Sequence, residues 1–100
     1  MPLSADRKKQ FRSIGHNLKP VVTVADNGLT EGVLKELNRA LNDHELIKVK
    51  LAVTEREDRN AVIEQIKALP KVEVIQQVGK IALVYKPAKE PNPKLSNLLR

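Results

Sequence analysis

No cysteine occurs among the 100 residues, which excludes disulfides, thiol chemistry and cysteine-ligated metals. Aromatic residues are almost absent: Phe11 and Tyr85 are the only two, so the core must be aliphatic. A function that needs several aromatic stacking platforms is correspondingly weakened. The four glycines fall in neither a Walker-type nor a dinucleotide-binding spacing. No apolar run approaches the roughly 18 residues that cross a bilayer. The Met1–Lys9 segment lacks the apolar stretch of a signal peptide, and a soluble, cytoplasmic protein is expected. His16 and His44 are the only histidines and stand in no metal-ligand spacing; capping or packing explains them better. No metal, no cofactor and no enzymatic activity are expected.

What remains describes a folded domain with a basic surface. Hydrophobic residues make up 41% of the chain, well above the disordered class, and its length suits one domain. Eighteen basic residues against twelve acidic give a net charge of +6. Residues 1–24 and 71–100 are strongly basic, whereas 25–70 are slightly acidic. Clustered Lys and Arg release counterions from phosphates on binding, so a polyanion is the natural partner. The plainer reading is a solvated surface that happens to be basic.

Along the chain, Ser4 is a good N-cap for a first helix reaching about Ile14, with Leu3, Phe11, Ile14 and Leu18 apolar and Gly15 as a stop. Pro20 opens a β-branched run, Val21 to Val24, and Asp26-Asn27-Gly28 is turn chemistry. Thr30 then caps a second helix whose core face is Val33, Leu34, Leu37, Ala40 and Leu41. In residues 46–53, Ile47, Val49, Leu51 and Val53 alternate with Lys48 and Lys50, the period of a half-buried strand. A charged loop, Glu55 to Arg59, precedes a third helix bearing Val62, Ile63, Ile66 and Leu69 and ended by Pro70. Two final strands, Val72 to Val78 and Ile81 to Lys86, meet at a Gly79-Lys80 hairpin. The fold class is therefore α/β, a two-layer sandwich in the order α-β-α-β-α-β-β with a mixed four-stranded sheet. Residues 1–87 form the domain and 88–100, which contain Pro91 and Pro93 with Lys89 and Lys94, read as a flexible basic tail.

Two features carry chemistry. The first is the strand-turn-helix junction around Asn27, Gly28, Leu29 and Thr30, where free backbone N–H groups and the positive end of a helix dipole suit a phosphate. Turns of this kind usually bind nothing, but Lys19 and the basic first helix, with Arg12, lie close in sequence. The second is Lys48 and Lys50, whose spacing of two puts both ammonium groups on one face of a strand, opposite the apolar set. Lysines on a strand also serve solubility alone; two on a firm strand can equally meet phosphates. The acidic residues Glu55, Glu57, Asp58 and Glu64 are interleaved with Arg56 and Arg59, which fits a solvated segment better than a paired-carboxylate site.

Several separated blocks resemble one family. They are His16-Asn17-Leu18-Lys19-Pro20-Val21-Val22, Asn27 to Val33, His44 to Lys50, and Val78-Gly79-Lys80 leading to Leu83-Val84-Tyr85-Lys86-Pro87. In this order and spacing, over about residues 4–87, they resemble the CRM domain (chloroplast RNA splicing and ribosome maturation), in particular its stand-alone bacterial YhbY-like form. The resemblance implies a fold similar to the C-terminal domain of translation initiation factor three. It also implies RNA binding and association with ribosomal RNA in precursors of the large subunit. The family's Gly-x-x-Gly loop falls here on Ala25, Asp26, Asn27 and Gly28. Ala25 departs from that pattern, and Asp26 sets a negative charge where phosphate would approach, so binding is expected to lean on Arg12, Lys19, Lys48 and Lys50. The leading expectation is a monomeric RNA-binding assembly factor. The alternative is a protein-interaction module docking on a ribosomal protein or assembly GTPase.

Overall fold

The structure, a computed structural model, describes residues 4–87; Leu3 and the segment 88–100, including the expected tail, lie outside the described residues. Seven elements follow in order: α1 (Ala5–Gly15), β1 (Pro20–Ala25), α2 (Glu31–His44), β2 (Leu46–Ala52), α3 (Arg56–Lys67), β3 (Glu73–Val78) and β4 (Ile81–Tyr85). The strands form one sheet in the order β1-β2-β4-β3. β1 and β2 are parallel, as a strand-helix-strand crossover requires, while β4 runs antiparallel to both of its neighbours. The α/β sandwich with a mixed four-stranded sheet expected from the periodicities is the fold observed.

Helix starts follow local chemistry. The Ser4 hydroxyl accepts a hydrogen bond from the Arg7 N–H at 3.2 Å, and the Thr30 hydroxyl accepts one from the Val33 N–H at 3.3 Å. The segment Glu55–Arg59, expected as a loop, is instead the opening of α3, which begins at Arg56. Glu57 and Asp58 sit in its first turn, where their charge complements the dipole in place of a side-chain cap. At the other end α3 stops at Lys67, before Pro70, and Lys71 turns the chain into β3 with φ of 62°. Gly79 makes the hairpin turn at φ of 58°.

The larger core lies on the sheet face covered by α2 and α3. Val22, Val24, Ile47, Val49, Leu51 and Val84 from the strands meet Leu37 and Leu41 from α2 and Val62, Ile63 and Ile66 from α3. Each fully buried Leu or Ile here contributes about 1.5–3 kcal/mol relative to exposure. What the periodicities do not reveal is the place of α1. It packs alone on the opposite face, where Phe11 meets Leu46, Ile75 and Leu83 in a second, smaller cluster. Phe11 also stacks against Tyr85 with ring centroids 4.7 Å apart, and the Arg7 guanidinium lies 4.8 Å from the Phe11 centroid. Gly15, expected as a helix stop, has a different reason to be there. It is buried, and a Cβ at this position would stand 2.9 Å from both Leu83 methyl carbons. Glycine here lets the last turn of α1 rest on β4 without displacing the Leu83 methyl groups.

Between α2 and β2 the chain reverses at Glu45, which has φ of 64° and is buried. Its N–H donates to the Leu41 carbonyl and its carbonyl accepts from the Lys86 N–H, tying the end of α2 to the end of β4. Its Oε1 has no hydrogen-bond partner among the described residues.

Candidate nucleic-acid interface

Pleating assigns Lys48 and Lys50 to the α1 face of the sheet, opposite Ile47, Val49 and Leu51, as their spacing predicts. Across the sheet Lys48 is in register with Leu83 of β4, and Leu83 with Gln76 of β3. The next row joins Thr23 of β1, Lys50, Ile81 and Val78. α1 covers only the part of this face around Leu46, Leu83 and Ile75. Beyond its C-terminal end the sheet is open: Thr23, Lys50, Gln76 and Val78 are exposed, and Lys48 and Ile81 are half-buried.

Arg12 comes down from α1 to line the same groove as Lys48. The structure thus unites two cations that are 36 positions apart in sequence, and Lys50 joins them in the adjacent row. No acidic residue lines this groove among the described residues. Glu73 pairs with Lys8 at 3.9 Å, in register with Tyr85 at the far end of the strand, and Glu64 pairs with Lys67 on α3. Lys19 is exposed just ahead of β1, near the Lys48 end of the strip, since Pro20 pairs with Lys48.

The 25–30 loop stands apart from these side chains, at the end of the sheet where β1 finishes. With strands rising about 3.3 Å per residue, it lies roughly 7 Å beyond the row of Thr23 and Lys50. Gly28 has φ of 74°, which explains glycine there, and its N–H donates to the Ala25 carbonyl at 2.9 Å. That amide, expected to meet a phosphate, is therefore already engaged within the turn. The Thr30 N–H donates to the Gly28 carbonyl, and the Thr30 hydroxyl caps α2. Asn27 and Leu29 have N–H groups without a backbone partner among the described residues, and α2 leaves those of Glu31 and Gly32 unpaired by helix geometry. Asn27 and Leu29 of the expected set thus keep free amides, Gly28 and Thr30 do not, and Glu31 and Gly32 add two beyond it.

Both departures from the Gly-x-x-Gly pattern have a structural answer. Ala25 has negative φ, so its methyl group costs no strain. The Asp26 carboxylate accepts from the Thr54 N–H at 2.9 Å and lies 3.4 Å from the Thr54 hydroxyl. It fastens the 25–30 loop to the turn between β2 and α3 and is not left facing an incoming phosphate.

In the sequence, Arg56 and Arg59 have the look of a solvated segment. The structure brings them together with Asn60, Gln77 and Gly79 around a polar depression of about 380 Å³ beside the hairpin, on the α3 face. No periodicity signals this, because the partners belong to elements distant in sequence. Among the described residues no group of three or more His, Asp or Glu side chains could hold a metal, and no helix is long and apolar enough to cross a membrane.

Comparison with known proteins agrees with this architecture. A Pseudomonas aeruginosa protein named a probable RNA-binding protein is 59% identical over 100 residues, spanning all of this chain and 96% of its own. A Haemophilus influenzae protein named an RNA-binding protein is 43% identical over 93 residues, covering 93% of this chain and 94% of its own. The solution structure of a Staphylococcus aureus protein, described as a candidate RNA-binding protein, superposes with a TM-score of 0.76 at 27% identity, over 89% of this chain and 93% of that one. The family model of the CRS1 / YhbY (CRM) domain matches residues 3–86. With that match running over nearly its whole length, the chain belongs to the CRS1 / YhbY (CRM) domain family.

Proposed function

We propose that this chain binds RNA through the open, α1-side face of its sheet. We further propose that it acts in the cytoplasm, as a monomer and without a cofactor, on ribosomal RNA in precursors of the large subunit. The observation that carries the reading is the convergence of Arg12, Lys48 and Lys50 on one sheet face, where the groove holding Arg12 and Lys48 is lined by no acidic residue. Phosphates are met there by charge, and the unpaired amides at the start of α2 supply a second contact at the end of the strip. Lys19 extends the strip at its other end. The names of the relatives support RNA as the partner class. In this reading the protein holds or shapes the RNA during assembly.

The test is sedimentation of the tagged protein from a bacterial lysate through a sucrose gradient. The protein should travel with large-subunit precursors and return to the top of the gradient after nuclease treatment or in high salt. Co-sedimentation that survives both treatments would favour docking on a protein. Absence from every ribosomal fraction would overturn the ribosomal assignment.

A further inference from the structure

The groove between the end of α1 and the sheet has a composition that phosphate binding alone does not explain. Its volume is about 220 Å³, below the roughly 300–1,000 Å³ of pockets for drug-sized ligands and suited to a single small fragment. Ile81, Leu83 and Gly15 supply an apolar floor, and Val78 on the edge strand is 64% exposed, the most exposed large apolar side chain among the described residues. Gln76 adds a side-chain amide, which both donates and accepts. Arg12 and Lys48 stand at the rim, and none of the lining residues is acidic.

We propose that this groove receives one unpaired nucleobase, making the sheet face a site for RNA with a bulged or looped-out nucleotide; this rests on the RNA-binding reading above. A base brings an apolar face and a hydrogen-bonding edge, with a phosphate on either side. The groove answers each: methyl groups of Ile81, Leu83 and Val78 below the base, the Gln76 amide for its edge, and Arg12 and Lys48 for the flanking phosphates. The planar Arg12 guanidinium can also lie against the open face of the base, a role usually taken by the aromatic side chains this protein lacks. An apolar peptide segment would use the floor but leave two unbalanced cations and the amide unanswered.

The proposal is tested with two RNA duplexes that are identical except for one unpaired nucleotide in the second, each titrated by fluorescence anisotropy. The proteins are the wild type and a Gln76→Ala, Val78→Ala double variant, both changes being at exposed positions, with folding checked by circular dichroism. Wild type should prefer the bulged duplex by about fivefold, the ratio given by roughly 1 kcal/mol of added contact. The variant should lose that preference while keeping its affinity for the paired duplex. Equal wild-type affinity for both duplexes, or a preference that survives in the variant, overturns the base site while leaving RNA binding standing. Failure to bind either RNA at low salt overturns the RNA-binding reading and the base site with it.

Discussion

Replacing Asp26 by alanine removes a side chain that joins the 25–30 loop to the turn before α3. The carboxylate accepts a hydrogen bond of good length, 2.9 Å from the Thr54 N–H, and a long one at 3.4 Å from the Thr54 hydroxyl. Both residues are exposed, so water can replace part of what is lost, and the cost should be about 1 kcal/mol. For a domain of this size that corresponds to a melting temperature lower by about 4–8 °C. The Thr54 amide should also lose protection from hydrogen exchange, because its acceptor has gone. Asp26→Asn separates clamp from charge: its Oδ1 still accepts from Thr54, so the melting temperature should hold. Removing its negative charge should relieve the repulsion of a phosphate bound at the start of α2; at an assumed separation of about 8 Å in water this is about 0.5 kcal/mol, or roughly twofold tighter binding at low salt. If Asp26→Ala leaves both the melting temperature and the Thr54 exchange rate unchanged, the clamp does not hold the loop and the reasoning fails.

Three further substitutions probe other parts of the structure. Gly28→Ala meets no atom within 4 Å, so its cost should be only the left-handed backbone, about 1–2 kcal/mol by chemical denaturation; a neutral result would contradict the positive φ. Gly15→Ala presses a methyl group on Leu83, and overpacking of about 1–3 kcal/mol should outweigh the roughly 1 kcal/mol gained in helix propensity. Adding Leu83→Val should recover part of the loss, and strictly additive costs would show that the two side chains do not collide. Burial raises the pKa of Tyr85 above its ordinary value of 10.0, helped by the Glu45 and Glu73 carboxylates and opposed by Arg7. With the folded value the higher one, the stability linked to Tyr85 is complete below pH 10 and is lost as the pH rises through the folded value. Unfolding midpoints measured from pH 9 to 11.5 should therefore fall more steeply for wild type than for Tyr85→Phe, and parallel curves would refute the shift.

The order of elements was readable because each has its own period or punctuation. Alternation from Ile47 to Val53 gives β2 and fixes the face of Lys48 and Lys50, Thr30 announces α2, and Gly79-Lys80 the hairpin. The place of α1 was not readable, since a short helix with few apolar residues can lie on either side of a sheet. The packing of Phe11 on Leu46, Ile75 and Leu83, with Gly15 close against Leu83, reveals which side it takes. The start of α3 was obscured by the density of charge in Glu55–Arg59, where acids that look solvated serve the helix dipole. The candidate site divides the same way. Its lysines follow from strand period, but the meeting of Arg12 with Lys48, the exposure of Val78 and the tie between Asp26 and Thr54 depend on contacts between elements far apart in the chain.

The most direct measurement is the salt dependence of RNA binding by wild type and by a Lys48→Ala, Lys50→Ala double variant, both checked for folding. A plot of log affinity against log salt concentration counts the phosphates neutralised, at about 0.7 to 0.9 per contact. If the open sheet face carries the RNA, the double variant should bind more weakly, with a slope shallower by about 1.4 to 1.8. A Lys67→Ala, Lys71→Ala control, at the end of α3 and in the turn after it, should leave the slope unchanged. An unchanged slope in the Lys48, Lys50 variant, or an equal fall in the control, would show that the RNA does not lie on this face.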